Sequence, residues 1–123
     1  MIYLACPYSN KNPEVAKARY EFVTIVAGVL MRRGMTVFSP VTHSRPIDMT
    51  FEEPEDWEFW KQQDFDILEN CDALCVLMID GWKESKGVTE EIQFAKEKRI
   101  DVCYLEPPYF EYQKYRSILE NNE

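Results

Sequence analysis

The sequence predicts an α/β fold in one domain: a doubly wound parallel sheet of about four strands, in the order 2-1-3-4, with helices on both faces. Three observations carry this. Four short apolar runs lie at 2–6 (IYLAC), 36–39 (TVFS), 73–79 (ALCVLMI) and 101–105 (DVCYL), each bounded by turn residues as buried strands are. Segments of helical period separate them. Alternation of this kind folds as parallel strands joined by right-handed crossovers. The 123 residues suffice for one domain with a genuine core and are too few for two, so a single domain is expected over 1–123.

Taken in order, the run 2–6 ends at Pro7 and opens into the turn-rich loop PYSNKNP. Asn12 before Pro13 is a helix start, with proline at the first helical position. Val15, Ala18, Phe22, Ile25, Val26, Val29 and Leu30 then recur at helical spacing until Gly34 closes the helix behind Arg32 and Arg33. After the second strand, the polar, proline-punctuated stretch 40–54 carries His43, Ser44 and Arg45 and is expected to be a long loop. Such loops in compact domains are more often functional than not. Helical period returns over 55–69, where Trp57, Trp60, Ile67 and Leu68 share a stripe with Asp64. Phe59 and Phe65 fall on flanking faces, so this helix is expected to meet a second subunit and the chain to form a homodimer.

The run 73–79 reads as a fully buried strand, followed by a polar turn holding two of the four glycines, Gly81 and Gly87. The next helix is expected over 88–99, with Glu91 on the stripe of Val88, Ile92 and Ala95. A carboxylate on that inward face needs a reason. The strand 101–105 is followed by Pro107, Pro108 and an aromatic tail, with a short helix expected over 110–119.

Composition bounds the function. With 46% hydrophobic and 29% charged residues the chain is an ordinary globular protein. Its net charge of −8 argues against nucleic acid held by bulk electrostatics. A small phosphorylated ligand is compatible, because exposed N–H groups at a helix start hold an anion locally. The apolar runs fall far short of a membrane span, and the start of the chain lacks the basic flank of a secretory signal. Cys6, Cys71, Cys75 and Cys103 lie at or beside strands without a CxxC pair, as reduced core residues of a cytoplasmic protein would. One histidine and no ligand spacing make a metal site improbable, and the absence of GxGxxG argues against a dinucleotide enzyme. No metal or organic cofactor is expected.

The order 2-1-3-4 puts the reversal of winding between the first and third strands, where open α/β sheets bind ligands. It would bring the loop 6–10 beside the loop 80–87, so Tyr3, Tyr8, Ser9, His43, Asp64, Asp80, Ser85, Gly87 and Glu91 converge there. Each has a plainer reading. Glu90 and Glu91 would complement a helix N-terminus, and Asp64 would be a satisfied buried carboxylate. Tyr3 would be core with a paired hydroxyl, His43 an idle loop residue and Ser85 a cap. The combination favours function, since carboxylates on apolar faces of two helices are costly unless used. Paired carboxylates about an anomeric carbon are the usual equipment for cleaving a glycosidic bond.

The stretches IYLACPYS, QQDFDILENCDALCVL and GWKESKGVTEEIQFA resemble the nucleoside 2-deoxyribosyltransferase-like superfamily over most of 2–105. The nearest likeness is to its small bacterial and phage branch of uncharacterised function, of the DUF1937 and DUF4406 kind. The most specific match is S-x-G-x-x-x-E at Ser85, Gly87 and Glu91. The resemblance implies a cytoplasmic, Rossmann-like enzyme of nucleotide metabolism, a hydrolase or transferase acting on a nucleotide or nucleoside. It also implies that Glu91 attacks C1′ of the sugar, that Tyr3 positions Glu91, and that Asp64 is a proton donor to the base. Ser85 and Gly87 of the motif, with Tyr8, Ser9, His43 and Asp80 from the same convergence of loops, are the candidate substrate-binding residues. Transferases of this superfamily carry an acidic residue where this chain has Ser85; its nucleotide N-hydrolases carry a serine facing a 5′-phosphate. The expectation is therefore N-glycosidic cleavage of a (deoxy)nucleoside 5′-monophosphate through a glutamate nucleophile, with closure of the segment 40–54 limiting water. The alternatives are a non-catalytic nucleotide sensor and an N-glycosidase acting on NAD.

Overall fold

β1 (Ile2–Ala5), β2 (Val37–Phe38), β3 (Ala73–Leu77) and β4 (Asp101–Leu105) pair in parallel as β2-β1-β3-β4. The structure is a computed structural model and describes residues 1–121; the last two residues of the expected domain lie outside the described residues. Ile2 registers with both Val37 and Ala73, and Ala73 with Asp101. The sheet order is the one the alternation of elements predicts. Tyr3, Leu4 and Ala5 are fully buried, because helices cover both faces of the sheet where β1 runs through its middle.

The period of two along each strand divides the core. Leu4, Leu77 and Ile79 pack with α1 (Pro13–Arg32) and α5 (Tyr109–Asn121), while Tyr3, Ala5, Leu74 and Val76 pack with α3 (Trp57–Leu68) and α4 (Lys86–Glu97). The Asn12 side chain caps α1 by accepting the Glu14 N–H at 3.0 Å. Gly34, at φ +91°, ends it in the left-handed turn that lets the Met35 N–H reach the Leu30 carbonyl at 3.2 Å. Tyr112 and Tyr115 dock α5 on Phe22, with ring centroids 5.2 and 5.5 Å apart. No helix among the described residues is long and apolar enough to cross a membrane.

The stretch 40–54 departs from expectation. Residues Pro40–Asp48 form a helix, α2, rather than a loop. Ser39 caps it through the Thr42 N–H at 3.2 Å, and Pro40 fills the first helical position, where its missing N–H costs nothing. Val41 is buried and Thr42 bonds Thr24 of α1 at 2.8 Å, so tertiary contacts hold a segment whose composition favours turns. Only 49–56 is left as loop.

Two further expectations need adjustment. Phe65 stacks on Phe94 of α4 at 4.3 Å and so finds its partner within the chain. Phe59 is 40% exposed against Phe51 and Trp60. Of the cysteines, Cys6 and Cys71 are buried as expected, but Cys75 is half-buried, and Cys103 is exposed on the edge strand β4.

Candidate functional site

At the carboxyl ends of β1 and β3 the loops that follow them are tied together by Arg19 of α1. Its guanidinium is buried and donates to the Ser9 carbonyl at 3.0 Å and the Asp80 carbonyl at 3.2 Å. Gly81 makes the approach possible. Its φ is +94°, and a Cβ there would lie 2.3 Å from Arg19 Nη2. The loop 6–10 thus sits beside the loop 80–87, at the winding reversal where the sheet order predicts a crevice.

A cleft of about 380 Å³ opens between these loops, α2 and the first turns of α3 and α4. Asp64 and Glu91 line it at 5% and 4% exposure. Each is a buried residue of its own helix, so two carboxyls from separate helices face one cleft. Tyr3 donates its hydroxyl to Glu91 Oε2. Burial pushes Asp64 up to about 7. Burial also pushes Glu91 up to about 8, opposed by the Tyr3 hydrogen bond and reinforced by the charge of Asp64. The Tyr3 phenol is held well above its ordinary value, first by burial and then by Glu91 and Asp64, so it stays a proton donor. Near neutral pH the two carboxyls therefore tend to hold one proton between them.

Glu90, the neighbour of Glu91, is in the opposite situation. It accepts from Trp57 Nε1 and pairs with Lys61 at 3.4 Å, and the Trp57 hydrogen bond leads in holding its carboxyl below the usual range. The plainer reading, two acids complementing a helix start, fits neither residue.

The mouth is polar on one side and aromatic on the other. Ser85 caps α4 by accepting the Val88 N–H at 3.2 Å, which leaves its own hydrogen to give. The first-turn N–H groups of Lys86 and Gly87 stand beside it. Gly87 also seats the Trp57 ring, which a Cβ there would meet at 3.7 Å. Trp60 Nε1 bonds Asp48 Oδ1 at 3.2 Å, and Arg45 donates to the Tyr8 hydroxyl at 2.8 Å. Both indoles and the guanidinium are fixed in place by these bonds.

Of the residues the sequence points to, Glu91, Asp64, Ser85, Gly87, Tyr8 and Ser9 line the cleft, and Tyr3 reaches it through Glu91. Asp80 does not; it opens onto a neighbouring hollow with Asn10, Lys11 and Arg19. His43 is a second correction. It is exposed on α2 and packs on Phe38 at 5.4 Å, outside the cleft lining, while the next two residues of the helix, Ser44 and Arg45, line it. Sequence reasoning missed Cys6, Asp48, Trp57 and Trp60 as lining residues. The signal for the tryptophans was present: they share the Asp64 stripe, which delivers them to the same cavity. Among the described residues no group of three His, Cys, Asp or Glu side chains is placed to hold a metal ion.

The model of a family described as a domain of unknown function (DUF1937) matches residues 1–106. No curated protein matches the chain.

Proposed function

This chain belongs to the DUF1937 family, and from its cleft we propose that it cleaves the N-glycosidic bond of a (deoxy)nucleoside 5′-monophosphate, in the manner of the nucleoside 2-deoxyribosyltransferase-like enzymes its motifs resemble. The observation that carries the proposal is the buried carboxyl pair, Glu91 held by Tyr3 and Asp64 beside it, in an open cleft. A pair sharing one proton supplies both a nucleophile and an acid. Burial leaves the shared proton mainly on Glu91, and the Tyr3 hydrogen bond lowers the cost of the reactive arrangement, with Glu91 ionised and Asp64 protonated.

In the proposed reaction the Glu91 carboxylate attacks C1′ as the C–N bond breaks, and the departing base nitrogen takes the Asp64 proton. A glycosyl-enzyme ester forms. Asp64, now ionised, accepts a proton from water as that water attacks C1′ and releases Glu91. Trp57 and Trp60 supply flat apolar faces for the base. The Ser85 hydroxyl, the N–H groups of Lys86 and Gly87 and the Lys86 ammonium receive the 5′-phosphate. Because α2 is a helix, closure over the sugar belongs to the shorter segment 49–56.

The test is incubation with a panel of deoxy- and ribonucleoside 5′-monophosphates, the free nucleosides and NAD, followed by chromatography for released base. Base from a monophosphate, abolished in Glu91→Gln, supports the proposal. Release from NAD alone, or tight nucleotide binding with no base released, would replace it with the NAD-glycosidase or the sensor. The homodimer is part of the same proposal, with the exposed Phe51 and Phe59 rings as its apolar face, and light scattering tests it.

A further inference from the structure

Away from the cleft, β3 and β4 set two thiols side by side. Cys75 and Cys103 are register partners on neighbouring parallel strands, and their Sγ atoms lie 3.0 Å apart. Adjacent strands run about 4.8 Å apart, inside the roughly 4.4–6.8 Å between Cα atoms that a disulfide spans. Within the sheet β4 has only β3 as a neighbour, so it can draw toward β3 without breaking a second ladder. Cys103 is exposed and open to reagents; Cys75 is half-buried behind it.

We propose that Cys75 and Cys103 form a reversible dithiol–disulfide site that reacts with low-molecular-weight disulfides. The site is independent of the nucleotide reading and stands or falls without it. The Cys103 thiolate attacks one sulfur of the small disulfide, giving a mixed disulfide and releasing one small thiolate. Cys75 gives up its proton to solvent and attacks the Cys103 sulfur, forming the protein disulfide and expelling the second small thiolate. In sum, two protein thiols and one small disulfide become one protein disulfide and two small thiols, with no other oxidant.

Burial, then the neighbouring Cys103, pushes the Cys75 thiol up to about 12. Capture of Cys103 as a mixed disulfide removes the second of these causes and makes the next attack intramolecular, so ring closure follows. Parallel neighbours hold their Cβ atoms near the strand spacing, beyond the mean of about 3.8 Å found in disulfides. The closed bond is therefore strained, and strained, accessible disulfides are the readily reduced ones.

The experiment treats the full chain with oxidised glutathione at mildly alkaline pH, alkylates it, and measures intact mass and peptide maps. The expected product is lighter by two hydrogens, joins the Cys75 and Cys103 peptides, leaves Cys6 and Cys71 as thiols, and reverts with reduced glutathione. Cys75→Ser should instead stop at a stable glutathione adduct on Cys103, and Cys103→Ser should lose the reaction. A lasting adduct on Cys103 of the unsubstituted chain, or no change in mass, would overturn the proposal. Base release, read in parallel, should be unaffected by either serine variant, which separates this result from the fate of the cleft.

Discussion

Tyr3, in the first strand, donates its hydroxyl to Glu91, 88 residues further along the chain. The bond crosses from the sheet to α4 inside the core, so the sheet itself orients the carboxylate. Tyr3→Phe keeps the ring and removes only the donor. Base release should fall by about 10- to 100-fold, the scale of a lost hydrogen bond to a charged group. The acid limb of its pH profile should also move upward, because the bond that lowers Glu91 is gone. An unmoved limb would make Tyr3 a packing residue only.

Glu91→Gln should abolish base release, by roughly a thousandfold or more, since the amide cannot form the glycosyl ester. Asp64→Asn should cost about 10²- to 10⁴-fold, the usual range for a lost general acid. A substrate with an activated leaving group should recover much of the Asp64→Asn loss and none of the Glu91→Gln loss. Steady-state assays on the two variants distinguish the roles.

The same pair sets the pH dependence of stability. Folded-state values of about 7 for Asp64 and 8 for Glu91 stand above ordinary values of 3.8 and 4.5. Between these limits the folded chain binds more protons than the unfolded one, so stability decreases as pH rises. The melting temperature should fall from about pH 4 to pH 8 and the slope should flatten in Asp64→Asn and Glu91→Gln, as calorimetry across the range would show. Base release should peak where the pair holds one proton, between about pH 7 and 8, and decline on both sides.

Ser85→Asp keeps a good helix cap, since aspartate caps as well as serine, but sets a carboxylate where the phosphate is placed. KM for the monophosphate should rise at least about tenfold while that for the free nucleoside stays level or falls, like-charge repulsion being the only change. Equal effects on both substrates would remove the phosphate from this end of the cleft.

Gly81→Ala would force a Cβ to within 2.3 Å of Arg19 Nη2 from a backbone at φ +94°. The expected loss is about 1–3 kcal/mol, seen as a lower midpoint in urea unfolding.

The strands and most helices were legible because both periods are clean. Val15 to Leu30 marks α1, the four apolar runs mark the sheet, and Asn12, Asp56 and Ser85 stand at their caps. The helix α2 was not, since PVTHSRPID holds two prolines and is stabilised by contacts with α1 that no local pattern reveals. Ser39 before Pro40 was its one visible signal. In the site, an inward carboxylate on an apolar stripe singled out Glu91 and Asp64. His43 failed for the converse reason: residue type alone nominated it, and the turn of α2 leaves it outside the cleft.

The tie that Arg19 makes to Ser9 and Asp80 carries a consequence for anyone redesigning this protein. The two loops that frame the entrance are not separate modules. Transplanting one from a homologue without its opposite number and the arginine would strand a guanidinium in the interior, so new specificities will have to be installed by exchanging all three segments together.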